Sequence, residues 1–416
     1  MNIEKLFNKE VMSLDTYIMF RLKEQTAKLK DELTSRNRAP ISLSMGAPTA
    51  NPPKALIDRL KEILDEDGIH MYSTPKGESY FRQAIAKRMK SRFGVEMEPE
   101  TEIFSLVGSK EGIANLVRFI TTPKHIELEK DVIMVPDPCY ASYLQFIQCS
   151  GAKAYPMPLT HENNFQPDVE KIYHQIIKDG YKPENIKALF INYPNNPLGS
   201  SASREYVQSV INFCKKYDIL LVSDAAYCDM YFREEEKPFS IFELDGAKDI
   251  GIEFYSFSKP YAVTGWRLGW VCGNKEVVGR FGKGKSTIDN GIFKALQKAC
   301  AEILNSEEGD KYIEERNKGY ARKQAIMVKG FKELGWPIDE KDVPHTTFYL
   351  WLPIPKRYDS AFKFCEDVLK KSGVVLVPGN AFGEHGEGFF RLSYVCSDEQ
   401  LQEVIDRFKA DGFTFN

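Results

Sequence analysis

Short apolar runs alternate with longer amphipathic stretches along the first three quarters of this chain. Strand-like apolar runs begin near residues 103, 132, 154, 188, 219, 252 and 268, with helix-length segments between them. One amphipathic stretch follows Pro52-Pro53 and stops before Gly68, as a helix with ordinary start and stop signals does. Strands that alternate with helices favour a mostly parallel sheet flanked by helices, so we predict an α/β fold.

The pattern changes after about residue 296. Long helical stretches there surround a few strand-like runs, such as those over residues 346–352 and 389–395. At 416 residues the chain is also longer than one hydrophobic core usually supports. We therefore predict a large domain with the sheet and a smaller α+β domain.

Composition narrows the possible partners. The formal net charge is −3, without the basic excess that nucleic acid binding requires. No apolar stretch approaches the roughly 20 residues of a membrane span, and the first ten residues carry charges of both signs, unlike a signal peptide. The eight cysteines show no metal-ligand spacing. We expect a cytoplasmic protein that binds neither nucleic acid, membrane nor metal.

The segment around Lys259 carries the clearest chemical signal. Ser256 and Ser258 precede the lysine, and Arg267 follows eight residues later. A lysine amine forms a Schiff base with an aldehyde, and hydroxyl and guanidinium groups bind phosphate. Pyridoxal 5′-phosphate carries both groups. Most lysines are solvated surface residues, however, so the segment needs support from elsewhere in the chain.

Two upstream apolar runs end in polar side chains. Asn196 follows the run that starts at Ala188, and Asp224 ends the run that starts at Asp218, with Tyr227 three residues further on. Ligands bind at the carboxyl ends of parallel strands in α/β sheets. Taken singly, each residue fits ordinary turn chemistry or packing equally well.

With Lys259 and Arg267, these motifs stand in the order and at about the spacing of the class I/II aminotransferases, the fold-type I pyridoxal-phosphate enzymes, which nearly the whole chain resembles. The resemblance implies that Lys259 holds the cofactor as a Schiff base and moves the substrate's α-proton. It implies that Asp224 keeps the cofactor's ring nitrogen protonated, and that Asn196 and Tyr227 bind the ring hydroxyl oxygen. Amino acid and 2-oxo acid would be the substrates.

A second phosphate-binding segment is expected where the strand-like run at residue 103 meets a helical pattern. Ser109 and Lys110 stand at that junction, and a helix N-terminus attracts anions. An ordinary N-cap at Ser109 is the alternative. Further on, the resemblance implies an aromatic residue stacked on the cofactor ring. Tyr140 is our choice, with Tyr143 as the alternative.

Three further expectations come from the resemblance. Arg391 would bind the substrate's α-carboxylate, for which a guanidinium offers a bidentate fork. Tyr72 would reach the phosphate of a neighbouring subunit, which implies a homodimer with shared active sites. The first 47 residues would join the small domain, so that the divisions are 1–47, 48–295 for the cofactor domain and 296–416.

Several strings look most like the branch of LL-diaminopimelate aminotransferases, among them Phe382-Gly383-Glu384-His385-Gly386. In that branch the residues equivalent to Tyr17 and Gly46 touch substrate. The donor would then be LL-diaminopimelate, aspartate or a related amino acid. A β-eliminating lyase on the same cofactor and a non-catalytic binding or regulatory homologue are the alternatives.

Overall fold

The structure is a computed structural model that describes Met1, residues 3–16 and residues 18–416. The strands are β1 (Ile41–Ser42), β2 (Ile103–Leu106), β3 (Val132–Asp137), β4 (Lys153–Pro158), β5 (Ile186–Ile191), β6 (Leu220–Asp224), β7 (Gly251–Ser256), β8 (Gly269–Gly273), β9 (Tyr349–Pro353), β10 (Val374–Val375), β11 (Val377–Pro378) and β12 (Phe389–Ser393). The helices are α1 (Lys9–Met12), α2 (Ile18–Ser35), α3 (Lys54–Ile63), α4 (Ser79–Phe93), α5 (Ser109–Ile120), α6 (Ser142–Cys149), α7 (Val169–Lys178), α8 (Arg204–Tyr217), α9 (Ala247–Ile250), α10 (Lys275–Lys285), α11 (Lys294–Ile303), α12 (Glu307–Glu333), α13 (Ala361–Ser372) and α14 (Asp398–Ala410).

The large sheet has seven strands in the order β2-β8-β7-β6-β5-β3-β4. Strands β3 to β7 pair in parallel, and β8 runs antiparallel to both β7 and β2. Each strand-like run of the sequence corresponds to one of these strands. The prediction of a mostly parallel α/β sheet is confirmed.

Alternate residues of the central strands pack on opposite faces of this sheet. Met134 and Leu189 belong to a core that includes residues of α4, α7, α8 and α11, whereas Ile133 and Phe190 belong to a core that includes residues of α5, α6 and α10. A strand turns successive side chains to opposite faces, so continuous apolar runs bury both faces. The helices therefore cover the sheet on both sides.

A third core holds the C-terminal part together. Strands β11, β12 and β9 form a small antiparallel sheet, and residues of α12, α13 and α14 pack with it. The N-terminal segment joins this part, because β1 pairs in parallel with β10 and Leu33 of α2 packs with Leu369 of α13. Helix α11 packs in the core of the large sheet. The domain limits at residues 47 and 295 stay a prediction.

The parallel strands bring their carboxyl ends to one edge of the large sheet. Polar segments follow each of these ends, after Asp137, Ile191, Asp224 and Ser256. Parallel sheets bind ligands at this edge, so the topology gathers residues from four distant parts of the sequence. Over the residues that the structure describes, no helix is long and apolar enough to cross a membrane.

Candidate active site

A cavity of about 430 Å³ opens at this edge of the sheet. The residues predicted from the sequence that line it are Gly46, Ser109, Lys110, Tyr140, Asn196, Asp224, Tyr227, Ser256, Ser258, Lys259, Arg267 and Arg391. They come from the ends of β6 and β7, from the loops after β1, β3, β5, β6 and β7, from the start of α5 and from β12. The fold thus brings twelve of the predicted residues to one cavity.

Lys259 lies in the loop between β7 and β8. Its Nζ donates a hydrogen bond of 2.5 Å to the carbonyl oxygen of Gly46. Burial lowers the pKa of the amine to about 8, helped by the positive charges of Arg391 and Arg267 and opposed by Asp224. An amine with this pKa is substantially neutral near pH 8, and a neutral amine is a nucleophile and a base.

Asp224 ends β6 with its carboxylate buried. Tyr143 donates its hydroxyl hydrogen to Oδ2 at 2.5 Å, and the backbone N–H of Ala226 donates to Oδ1 at 3.2 Å. Burial raises the pKa of Asp224, while these two hydrogen bonds and Lys259 favour the charged form. The carboxylate is held in a fixed position in which a cationic partner would relieve its desolvation.

Arg267 and the start of α5 form a compact group of donors. Arg267 Nη1 donates to the carbonyl oxygen of Thr264 at 2.8 Å and lies 3.3 Å from Ser258 Oγ. Gly108 caps α5 with φ 79°, and a Cβ on it would lie 2.2 Å from Arg267 Nη2. Because Gly108 is the cap, Ser109 is the first helical residue and not the N-cap considered in the alternative.

Arg391 projects from β12 into the cavity between two aromatic rings, 4.4 Å from the centroid of Tyr349 and 4.6 Å from that of Phe382. Its Nη1 donates to Asn196 Oδ1 and its Nη2 to the carbonyl oxygen of Ser44, each at 2.8 Å. Its buried Nε has no hydrogen-bond partner among the described residues. A carboxylate is the group that would pair with such a guanidinium.

Two tyrosines contribute in ways that the sequence did not indicate. The hydroxyl of Tyr349 lies 2.7 Å from that of Tyr227, so Tyr227 is already hydrogen-bonded. Tyr143, the alternative stacking residue, is fully buried and binds Asp224. Tyr140 is the one of the pair that lines the cavity, with its ring perpendicular to that of Tyr143.

One predicted residue is not brought to the cavity. Tyr72 is 84% exposed and is not among the lining residues. Tyr17 lies outside the described residues. Sequence reasoning also missed some lining residues, namely Ile18, Met19, Ala47, Ala141, Asn192, Ala226, Thr264, Tyr349 and Phe382. Most of these are apolar or small residues, which give no chemical signal of their own.

The donor set fits pyridoxal phosphate. The cavity offers an amine for the aldehyde, a buried carboxylate for the ring nitrogen and an aromatic side chain for the ring face. The close approach of Gly108 to Arg267 leaves room for no side chain beside the N-terminus of α5, where backbone N–H groups and a guanidinium can meet a phosphate.

Comparisons with known proteins agree with this chemistry. The family model of aminotransferase class I and II matches residues 38–408. An LL-diaminopimelate aminotransferase of Moorella thermoacetica is 38% identical, over 96% of this chain and 97% of that protein. One from Aquifex aeolicus is 36% identical, over 97% of this chain and 98% of that protein.

Solved structures agree as well. A substrate-bound BacF structure from Bacillus subtilis has a TM-score of 0.89 at 30% identity and covers 99% of this chain and 98% of that one. A Thermus thermophilus aspartate aminotransferase mutant has a TM-score of 0.85 at 25% identity and covers 97% of this chain and 99% of that one. The chain belongs to the class I and II aminotransferases, with the fold-type I architecture, and is an enzyme that uses pyridoxal 5′-phosphate to transfer amino groups between amino acids and 2-oxo acids.

Proposed function

We propose that the amino donor is LL-diaminopimelate, aspartate or a related amino acid and that the acceptor is a 2-oxo acid such as 2-oxoglutarate. The observation that carries this proposal is the match over nearly the full length to proteins named LL-diaminopimelate aminotransferase, at 38% and 36% identity. Among these candidates we rank LL-diaminopimelate first.

The experiment is a donor series followed by visible spectroscopy. LL-diaminopimelate, aspartate, alanine and phenylalanine are added one at a time to the purified holoenzyme, and 2-oxoglutarate is added afterwards. We expect LL-diaminopimelate to bleach the cofactor's visible band fastest and 2-oxoglutarate to restore it. A faster response to another donor contradicts the ranking. Pyruvate or ammonia released without an acceptor would favour the lyase.

We propose Lys259 as the catalytic residue. When bound, pyridoxal phosphate supplies an aldehyde and an electron-withdrawing ring that stabilises the charge left on a substrate carbon after proton loss. The Lys259 amine would hold the cofactor and, once displaced by substrate, take the proton from the substrate's α-carbon and return it at C4′ of the cofactor. Its pKa of about 8 suits an acid and base that works near neutral pH.

The other side chains would bind and orient. Asp224 would pair with the ring nitrogen, and Asn196 and Tyr227 would hydrogen-bond the ring hydroxyl oxygen. Tyr140 would lie on the ring face. Since Asn196 Oδ1 accepts from Arg391, its amide nitrogen is the end that would donate to a ring oxygen.

Two sets of residues would bind the anionic groups of the cofactor and the substrate. Ser109, Lys110, Ser256, Ser258 and Arg267 would hold the phosphate. Arg391 would receive the substrate's α-carboxylate, and Gly46, and Tyr17 by resemblance, would contact the substrate. The hydrogen bond from Arg391 to Asn196 couples the proposed carboxylate site to the proposed ring site.

We also propose that the active unit is a homodimer in which Tyr72 reaches the phosphate of the partner. Tyr72 is 84% exposed, and Met71, Ile288 and Phe293 are also exposed apolar residues. The His70 ring stacks on Phe293 with centroids 6.0 Å apart, so the two exposed segments are neighbours. Exposed apolar side chains that cluster mark protein contacts.

A mixed-dimer experiment tests this arrangement. We expect Lys259→Ala and Tyr72→Ala chains each to have little or no activity alone. If Tyr72 acts across the interface, unfolding and refolding an equal mixture regenerates about a quarter of the wild-type sites, because half the dimers are mixed and each has one intact site. If the refolded mixture has no more activity than the separate variants, the shared site is contradicted.

Cytoplasmic localisation stays a prediction, which cell fractionation checks.

A further inference from the structure

Two loops from distant parts of the chain meet beside the cavity through a histidine and an aspartate. Asp137 ends β3 and is 6% exposed. Its Oδ2 lies 2.7 Å from Nδ1 of His385, which is 248 residues away in the sequence. The backbone N–H of His385 donates to Oδ1 of the same carboxylate at 3.3 Å. One buried carboxylate thus receives both a side chain and an amide from the second loop.

Two more contacts join the same loops. The backbone N–H of Cys139 donates to the carbonyl oxygen of Phe382 at 2.8 Å. Gly383, with φ 137°, packs so closely that a Cβ on it would lie 1.9 Å from Asp137 Oδ1. The loop after β11 is therefore fitted closely against the end of β3.

Each loop carries a residue that lines the cavity. Tyr140 directly follows Cys139, and Phe382 directly precedes Gly383. The Phe382 ring lies 4.6 Å from the guanidinium of Arg391. Gly383, which approaches Asp137 closely, is thus the residue next to Phe382 in the chain. The Phe382 ring is one of the two rings between which the Arg391 guanidinium lies.

We propose that His385 is a positioning residue for the substrate's α-carboxylate: by hydrogen bonding to Asp137 it fixes Phe382 and, through that ring, the guanidinium of Arg391. This inference rests on the proposed role of Arg391. It assigns to His385 a function in binding amino acid and 2-oxo acid, which share the α-carboxylate, and none in proton transfer.

The exposure of His385 separates this role from core packing. Its side chain is 40% exposed, so its removal leaves no cavity in a core. The side chain of Asp137, by contrast, is 8% exposed, and its carboxylate would lose a donor in a poorly solvated place. The loop would then be free to shift. A displaced carboxylate site weakens substrate binding in the ground state and the transition state alike, which raises KM and leaves kcat nearly unchanged.

The test compares His385→Ala with His385→Asn, whose amide nitrogen can replace the imidazole donor to Asp137. KM and kcat are measured for 2-oxoglutarate and for the amino acid turned over fastest in the donor series. We expect the alanine variant to raise both KM values about tenfold, the size of one hydrogen bond to a charged group, with kcat within about threefold of wild type. The asparagine variant should recover most of the loss.

His174→Ala is the matched control, since His174 is a 65% exposed histidine beside Glu170 on α7 and lies outside the cavity lining. It should change neither KM nor kcat. Unchanged KM values in His385→Ala would overturn the inference, as would failure of His385→Asn to recover them or a fall in kcat with loss of the cofactor's visible band.

Arg391→Ala separates the inference from the function on which it rests. We expect it to raise both KM values more than His385→Ala does, and the two effects to be less than additive in the double variant. If Arg391→Ala leaves both KM values unchanged, the proposed role of Arg391 fails. If it raises them but His385→Ala does not, only the inference about His385 fails.

Discussion

The hydroxyl of Tyr143 donates a 2.5 Å hydrogen bond to the carboxylate of Asp224. Both residues are buried, and burial raises the pKa of Asp224. The hydrogen bond acts in the opposite direction and favours the charged form of this carboxylate. Tyr143 therefore helps to keep the Asp224 carboxylate charged, and we assign this carboxylate to pair with the protonated ring nitrogen of the cofactor. Tyr143 does not line the cavity itself.

Tyr143→Phe tests this support. The change removes one donor from a buried carboxylate, and a hydrogen bond to a charged group contributes about 1.5–3 kcal/mol. We expect kcat to fall roughly tenfold and the cofactor to dissociate faster, measured by steady-state kinetics and by loss of the visible band on dialysis. Tyr173→Phe, a buried tyrosine of α7 outside the cavity lining, is the control and should keep wild-type kcat. Equal kcat values for the two variants would contradict the role of Tyr143.

The lowered pKa of Lys259 predicts how the apoprotein takes up its cofactor with pH. The neutral amine reacts with an aldehyde, so uptake should accelerate as pH rises and level off above the pKa of about 8. With the ordinary pKa of 10.5, only roughly one amine in three hundred would be neutral at pH 8. The measurement is the rate at which the visible band appears between pH 6 and 10.

An acetylated lysine in solution, blocked at its α-amine, provides the comparison for that titration, because its side-chain amine keeps an ordinary pKa. Its reaction with pyridoxal phosphate should keep accelerating through pH 9, whereas uptake by the apoprotein should not. A rate for the protein that climbs unchanged to pH 10 would show that Lys259 is not perturbed in this way.

Gly46→Ala examines how closely the loop after β1 fits the tyrosine pair. A Cβ on Gly46 would lie 2.8 Å from Tyr349 Oη, which is hydrogen-bonded to Tyr227. The added methyl group must push that hydroxyl away, so we expect at least a tenfold loss of kcat/KM. Removal of the hydroxyl relieves the clash, because the next Tyr349 atom is 3.9 Å away.

The double variant Gly46→Ala/Tyr349→Phe makes this test specific. Tyr349→Phe alone loses the hydrogen bond to Tyr227 and sets its own reduced level of activity. If the hydroxyl is what the added methyl group displaces, the double variant should be no worse than Tyr349→Phe alone, measured as kcat/KM. A further loss in the double variant would mean that Gly46 matters for another reason, such as substrate contact.

The sequence allowed most of the cavity to be predicted because its residues follow strand ends. Asn196, Asp224 and Ser256 lie at or just after the ends of parallel strands, and such strands share one edge of a sheet. The partnership of Tyr227 with Tyr349 was not predictable in this way. It joins residues 122 positions apart through side chains whose directions depend on how the small sheet packs on the large one.

Local conformation explains another difference. Serine is a preferred capping residue, so the sequence alone favours Ser109 as the N-cap of α5 if this serine does not bind phosphate. The preceding Gly108 takes the cap instead, with φ 79° and ψ 152°. Only glycine adopts this backbone region without strain, and only glycine has room beside Arg267. In a single sequence, a glycine that precedes a serine does not indicate which of the two residues is the N-cap.

Gly108→Ala is expected to damage cofactor binding for two separable reasons. The positive φ costs on the order of 1–3 kcal/mol for any other residue. The new Cβ would also lie 2.2 Å from Arg267 Nη2 and displace the guanidinium that we assign to the phosphate. Gly94→Ala serves as the control for a positive φ without such a contact, because Gly94, the C-cap residue of α4, has φ 70° and ψ 12° and a Cβ there meets nothing within 4 Å. Both variants should unfold at lower temperature than wild type. In a titration of the apoprotein, only Gly108→Ala should bind pyridoxal phosphate more weakly, by about tenfold or more. A loss of this size corresponds to one charge-assisted hydrogen bond between Arg267 and the phosphate. Equal cofactor affinity in the two variants would show that Arg267 does not depend on the close approach of Gly108.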